Sequence, residues 1–103
     1  MRIEVNDNNV IQLIIDANCG FEEFHLFAAR LAKTLSVQFE KKVDDFDSFF
    51  WSFIYRRNGL VLHYNIYLGI SIYHIKGNMA AHEEISILYG IKEILANNTS
   101  TNL

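Results

Sequence analysis

The sequence contains no proline, only five glycines and a single cysteine among its 103 residues. Because no proline-rich, glycine-rich or serine-rich stretch interrupts the chain, we expect one domain with one core. The lone cysteine, Cys19, cannot form a disulfide within the chain and is too little for a cysteine-based zinc site. This cysteine usage fits a reducing compartment, so we expect a cytoplasmic protein.

The sequence also lacks a large excess of charge of one sign and lacks long apolar runs. Nine Lys and Arg against twelve Asp and Glu give a formal net charge of −3. The chain therefore lacks the excess of basic residues that is typical of proteins binding nucleic acid or an anionic membrane. The apolar runs are all shorter than the roughly 18 residues of a membrane span, and the polar start at 1–7 does not resemble a signal peptide. We therefore expect no nucleic acid and no membrane as a partner.

The apolar residues, which make up half of the chain, predict the element order β-β-α-β-β-β-β-α. Two short strands flank a turn at Asp7–Asn9, and an amphipathic helix begins at Phe21. A further strand precedes the loop that starts at Asp44, three strands form a meander over Asp47–Lys76, and a second helix covers 79–96. The expected fold is an α+β domain over 1–97, with a mainly antiparallel sheet, two helices packed on one face and a polar C-terminal tail at 98–103.

Glycines set the expected register of the meander. Asn58-Gly59 is typical of a two-residue hairpin turn, which would pair Trp51 with Ile66. A three-residue loop Tyr67–Gly69 would then pair Ile66 with Ile70. On this register, the side facing the helices carries Trp51, Phe53, Leu62, Tyr64, Ile66, Ile70 and Ile72.

The other side of the meander is expected to carry aromatic and small polar side chains with little charge. The same register predicts one row of Ile54, His63 and Tyr73 and another of Ser52, Asn65 and Ser71. Such a composition is typical of protein interfaces, although a sheet surface covered by another part of the chain or by a second copy would look similar. The candidate contact residues for a partner are His63, Asn65, Tyr67 and Tyr73.

The residues with reactive side chains do not form a recognisable catalytic or metal motif. Neither a two-histidine zinc motif nor a glycine-rich phosphate loop is present, so we predict no metal and no cofactor. His63 beside Tyr73 is a conceivable general base, but no second base or phosphate-binding lysine is placed with it. His74 is expected to be a neutral, hydrogen-bonded core residue. Cys19 is either a nucleophile at a helix start or a small buried residue, and we assign no catalytic residue.

Three aspartates, Asp44, Asp45 and Asp47, surround Phe46 in one predicted loop. The cluster lacks the ligand number and spacing of a calcium loop. One interpretation is an ordinary solvated turn. The other is an anchor for a basic partner, because complementary charge accelerates encounter and an acidic segment can occupy a phosphate-binding groove.

The whole chain resembles the small, slightly acidic bacterial immunity proteins that neutralise toxins of contact-dependent growth inhibition and related systems. The resemblance is carried by the size, the lone cysteine, the acidic balance and the two strands Phe49–Tyr55 and Val61–Tyr64. It implies a protein that binds a cognate toxin, often a nuclease, and occludes its active site without catalysis. The alternatives are a small enzyme or ligand-binding domain with a pocket near His63 and Tyr73, and a structural homodimer.

Overall fold

The computed structural model describes residues 1–101, with side chains up to residue 97. The chain forms an α+β fold in which a six-stranded antiparallel sheet is covered on one face by two helices. The strands are β1 (Arg2–Val5), β2 (Ile11–Asp16), β3 (Phe39–Asp44), β4 (Ser48–Tyr55), β5 (Asn58–Asn65) and β6 (Gly69–His74). The helices are α1 (Phe21–Leu35) and α2 (His82–Thr101), with a short 3-10 turn at Gly77–Met79. The predicted element order is therefore confirmed.

The strand order across the sheet is β1-β2-β6-β5-β4-β3. The four C-terminal strands form a continuous meander, whereas the N-terminal hairpin pairs through β2 with β6, the last strand of the chain. The last strand in the chain, β6, therefore lies inside the sheet, between β2 and β5.

In the first turn of each helix, a glutamate side chain accepts a hydrogen bond from the backbone amide of the residue just before the helix. In α1, Oε2 of Glu23 accepts a 2.9 Å hydrogen bond from the amide of Gly20. In α2, Oε1 of Glu84 accepts one of 2.9 Å from the amide of Ala81. Each bond satisfies an amide that the helix itself leaves unpaired. The buried side chains recur at three and four residues and are Phe24, Ala28, Leu31, Leu35, Ile85, Leu88, Ile91 and Leu95.

The first predicted turn of the meander is wrong by two residues. Arg56 and Arg57 form the turn, both with positive φ (49° and 67°), and Tyr55 pairs with Asn58. Core packing explains the shift, because Leu60 now lies opposite Phe53 and is completely buried. Moving the turn by two residues changes each pairing partner by four residues, an even number that keeps each side chain on its face. Trp51 pairs with Leu62 instead of Ile66, and both still face the helices.

The second turn is also displaced, although its glycine takes the expected conformation. Gly69 has φ +82° and pairs with Asn65, so the loop consists of Ile66–Leu68. A Cβ at Gly69 would collide with the backbone of Asp16 and Ala17, which come from the end of β2. Ile66 was predicted to lie in the core, but it starts this loop and its side chain is 50% exposed.

His74 is buried on the helix-covered face, as predicted. Its Nε2 lies 3.2 Å from Oδ1 of Asn58, and its Nδ1 accepts a hydrogen bond from the amide of Lys76. The amide of Asn58 is oriented by its own bond to the Arg56 carbonyl, which makes Nε2 the protonated nitrogen of a neutral ring. Burial lowers the pKa of His74; the charge of Glu84 opposes this effect, and the smaller effect of the Lys76 charge adds to it.

The predicted C-terminal tail at 98–103 is described only in part. The backbone of residues 98–101 continues α2, and residues 102–103 lie outside the described residues. Within residues 1–101, neither helix is long and apolar enough to cross a membrane.

Candidate functional site

Two adjacent loops at one end of the sheet expose four large apolar side chains, which we call the loop cluster. Phe46 in the β3–β4 loop is 99% exposed, and the consecutive Ile66, Tyr67 and Leu68 of the β5–β6 loop are 50%, 77% and 69% exposed. The amide of Ile66 donates a 3.1 Å hydrogen bond to the carbonyl of Asp47 and thereby joins the loops. Neighbouring apolar side chains with this exposure are a feature of interaction surfaces.

The β5–β6 loop is shaped by Asn65. Its Oδ1 accepts hydrogen bonds from the amides of Tyr67 (2.8 Å) and Leu68 (3.1 Å), and Gly69 closes the loop with its positive φ. These bonds fix the backbone that presents Tyr67 and Leu68 to solvent. Asn65, a predicted contact residue, therefore has a structural role in the loop.

The β3–β4 loop is held in a similar way. Oδ1 of Asp45 accepts a 2.8 Å hydrogen bond from the amide of Phe46, and the Asp45 amide donates one to the Ser48 carbonyl. The hydroxyl of Ser48 accepts from Nδ2 of Asn65 (2.9 Å) and donates to Oδ1 of Asp47 (3.2 Å). The exposed ring of Phe46 therefore lies on a loop with a defined backbone.

Acidic residues dominate this end of the sheet. Segments 16–23, 44–49 and 65–70 contain six acidic residues and neither Lys nor Arg. The first segment belongs to this end because Asp16 pairs with Ile70 at the start of β6. Arg56, Arg57 and Lys76 lie at the opposite end, where Lys76 forms an ion pair of 2.6 Å with Glu84. The acidic residues are Asp16, Glu22, Glu23, Asp44, Asp45 and Asp47.

The predicted contact residues do not form one surface. Asp45, Asp47 and Tyr67 lie in the two loops, together with the structural Asn65. Asp44 bonds to the indole of Trp51 on the helix-covered side of the sheet. The predicted set also includes His63 and Tyr73, which lie on the opposite, uncovered face of the sheet.

On the uncovered face, the predicted side-chain rows are wrong because of the register shift. His63 lies between Phe50 and Ser71, and Tyr73 lies beside Val61 in the next row. The His63 ring stacks on Phe50, with a centroid separation of 4.5 Å and an interplanar angle of 12°. Tyr73 approaches His63 edge to face at 6.0 Å. His63 and Tyr73 are therefore neighbours, as expected, but in different rows.

A groove of about 280 Å³ opens on this uncovered face beside His63 and Tyr73. One wall comes from the N-terminal hairpin, which pairs with β6 and contributes Asn6, Asn8 and Gln12. The other comes from the meander, including His63, Ser71 and Tyr73. The structure thus contains a recess at the position that the ligand-binding alternative requires.

Burial changes the protonation of the two titratable groups in the groove. It lowers the pKa of His63 and raises the pKa of Tyr73, so both are neutral near pH 7. Within the described residues, no hydrogen bond connects the His63 ring to another side chain. A general base needs a partner that orients it, and the described groove supplies none.

The thiol of Cys19 is not activated by its position at the start of α1. Burial, with the nearby carboxylates of Asp16 and Glu23, raises its pKa to about 11. The thiol is therefore protonated at neutral pH, which favours the structural alternative. In the described part of the chain, no group of three His, Cys, Asp or Glu side chains could hold a metal ion.

Some residues at these surfaces were not among the predicted contacts. The exposure of Phe46 could be predicted from the sequence, because a large aromatic residue between acidic residues in a loop is not positioned to pack in the core. Ile66 was wrongly placed in the core by the predicted register, whereas Leu68 was correctly placed in the loop but not named as a contact. Gln12 carried no signal, because its place beside Tyr73, 61 residues later in the sequence (73 − 12), depends on the pairing of β2 with β6.

Comparisons with known proteins identify the family of the chain. No curated protein and no solved structure matches it significantly. The model of the family described as "Protein of unknown function (DUF3630)" matches residues 1–90. This match spans all six strands, α1 and the first half of α2. The chain therefore belongs to the DUF3630 family.

Proposed function

We propose that this chain is a cytoplasmic immunity protein that binds a cognate bacterial toxin through the loop cluster and occludes the active site of that toxin. The observation that carries the proposal is the position of four exposed apolar side chains on two hydrogen-bonded loops at the acidic end of the sheet. The protein would act by binding alone, without catalysis.

The chemistry of this end favours a basic partner with an apolar recess. An exposed aromatic ring on a constrained loop loses little conformational entropy on binding, which is a property of binding hot spots. Phe46 fits this description. The carboxylates of Asp45 and Asp47 flank it and would complement Lys and Arg side chains around the recess.

A nuclease toxin would have such a surface, because its substrate-binding cleft must attract phosphate groups. An acidic protein segment in that cleft would compete with the nucleic acid for the same cations. Binding should then weaken as salt concentration rises, since rim charges act mainly through the association rate.

The experiment is co-expression with the polypeptide encoded immediately upstream, followed by measurement of growth protection and of affinity between the purified proteins. The wild-type chain should protect cells. The double variant Phe46→Ser/Tyr67→Ser should lose at least roughly thirtyfold in affinity, which corresponds to the loss of about 2 kcal/mol on truncation of one hot-spot residue. Met79→Ser at the opposite end, where Met79 is 80% exposed, is the matched control and should bind like wild type.

Two outcomes would overturn the proposal. One is a purified chain that neither binds nor protects against that polypeptide. The other is binding that the double variant leaves unchanged, which would place the contact elsewhere. Molecular mass in dilute solution separates this proposal from the structural homodimer, because an inhibitor of this kind would be monomeric until it meets the toxin.

A further inference from the structure

The groove on the uncovered face contains polar side chains whose hydrogen-bonding capacity is unused. Gln12 of β2 lies beside Tyr73 of β6, and Ser71 of β6 lies beside His63 of β5. All four line the groove. Within the described residues, none of these side chains donates or accepts a hydrogen bond. Four such groups converging on one recess are characteristic of a ligand site, which uses a few placed polar groups on a largely apolar wall.

The groove has no ionised lining. Its polar groups are amides, hydroxyls and a histidine whose pKa is lowered by burial. The charged side chains on the neighbouring positions of β1 neutralise each other, since Nε of Arg2 lies 3.0 Å from Oε2 of Glu4. Nothing in the groove would compensate the desolvation of a phosphate, a carboxylate or an ammonium group. The electrostatics therefore favour an uncharged ligand.

The type of polar group in the groove further limits the chemical class of the ligand. The amide of Gln12, the hydroxyls of Ser71 and Tyr73 and the neutral ring of His63 can each donate and accept. Ligand hydroxyl groups have the same dual capacity. The groove is less suited to stacking a planar base, because Phe50 already covers one face of the His63 ring.

The volume sets the size of the ligand. At about 280 Å³, the groove lies just below the range of roughly 300–1,000 Å³ that holds drug-sized molecules. Apolar side chains, including those of Ile14 and Leu68, also line it. They would contact the C–H surface of a small ring.

We infer that this groove is a binding site for a neutral sugar or related polyol of about monosaccharide size. The inference does not rest on the immunity proposal, because its polar contacts lie on the uncovered face of the sheet, although Leu68 borders both surfaces. Gln12 and Ser71 would contribute contacts from the two walls of the groove, since each has a polar group that lines it and no other described partner.

The test is a titration of the full ¹⁵N-labelled chain with neutral monosaccharides, including glucose, galactose, mannose, ribose and N-acetylglucosamine, followed by backbone amide shifts. At least one sugar should shift the amides of Gln12, His63, Ser71 and Tyr73 together, with a dissociation constant of the order of 1 mM, as expected for a ligand with about twelve heavy atoms. Glucuronic acid and glucosamine, which carry a charge, should bind at least roughly tenfold more weakly than their neutral counterparts.

Two variants assign the effect to the groove. Gln12→Leu and Ser71→Val are close in size to the native residues, and each should weaken binding at least roughly tenfold by removing hydrogen bonds. Ser52→Val, on the same face but outside the groove, is the control and should bind like wild type. The amide spectrum of each variant verifies its fold independently of binding.

Three results would overturn the inference: no neutral sugar shifts the groove amides, charged sugars bind as strongly as neutral ones, or uncharged nucleosides bind more strongly than every sugar. Failure of the immunity proposal would leave each of these readouts unaffected.

Discussion

The indole nitrogen of Trp51 donates a 2.7 Å hydrogen bond to Oδ1 of Asp44. Nζ of Lys42 lies 4.3 Å from the centroid of the same ring. Two residues of the edge strand β3 therefore hold the only tryptophan of the chain in place within the aromatic cluster beneath α1. Asp44 was predicted to contact a partner, but its carboxylate already has a structural contact.

Removing this carboxylate should destabilise the fold. Asp44→Ala should lower the free energy of unfolding by about 1–3 kcal/mol, because it leaves the nearly buried indole N–H without its acceptor. Asp44→Asn, which retains an acceptor oxygen, should lose less than half as much. Urea unfolding followed by the fluorescence of Trp51 measures both values, and equal stability of Asp44→Ala and wild type would contradict the structural role.

Two glycines should respond in opposite ways to alanine. Gly69→Ala should destabilise the protein by at least about 2 kcal/mol, because alanine is strained at φ +82° and its methyl group would meet the backbone of Asp16 and Ala17. Gly90→Ala should stabilise it by about 0.5–1 kcal/mol, because Gly90 lies within α2 with open space around the added Cβ. Thermal unfolding of the two variants tests the direction of each change in stability. A destabilised Gly90→Ala would count against the described surroundings of α2.

Acidification should destabilise the protein through His63 and His74. Burial lowers the pKa of both below the ordinary value of 6.5, so the unfolded chain binds more protons than the folded one as pH falls through that value. The free energy of unfolding should therefore decrease from about pH 6.5 downwards, at no more than roughly 1.4 kcal/mol per pH unit for each histidine.

Urea unfolding at about pH 7.5 and about pH 5.5 measures this dependence. His63→Phe removes one of the two groups while keeping a ring against Phe50, and should make the dependence shallower. A stability that is constant or higher at the lower pH would contradict the burial of these rings.

Cys19 should react slowly with alkylating reagents. A pKa raised from 9.0 to about 11 reduces the thiolate fraction near neutral pH by roughly a hundredfold. Mass spectrometry after iodoacetamide treatment should show much slower labelling of the native chain than of the chain in urea. The native rate should still rise above pH 9, and a native rate equal to that in urea would show that the thiol is not shielded.

The sequence predicted the order of the elements and the face of the meander that meets the helices, because these depend on periodicity. It did not predict the register. Asn58-Gly59 is the stronger local turn signal, yet the turn forms at Arg56-Arg57 because that register buries Leu60 opposite Phe53. The energy of core packing thus outweighs the cost of two arginines with positive φ.

The two candidate surfaces were predictable to different degrees. The acidic loop around Phe46 depends on local sequence, and the sequence alone was enough to propose it as a partner surface. The groove could be anticipated only from His63 and Tyr73, because its other wall comes from the N-terminal hairpin. Nothing in the residues near Gln12 indicates that β2 lies beside β6, since that pairing is set by the tertiary fold.

The position of β2 next to β6 has a consequence for synthesis on the ribosome. The N-terminal hairpin emerges first, but the strand that pairs with β2 is made last among the six. Until then the nascent chain exposes an unpaired strand edge, which is a site for aberrant association. We expect chaperone engagement to persist until β6 has emerged, and chains that terminate before it to aggregate.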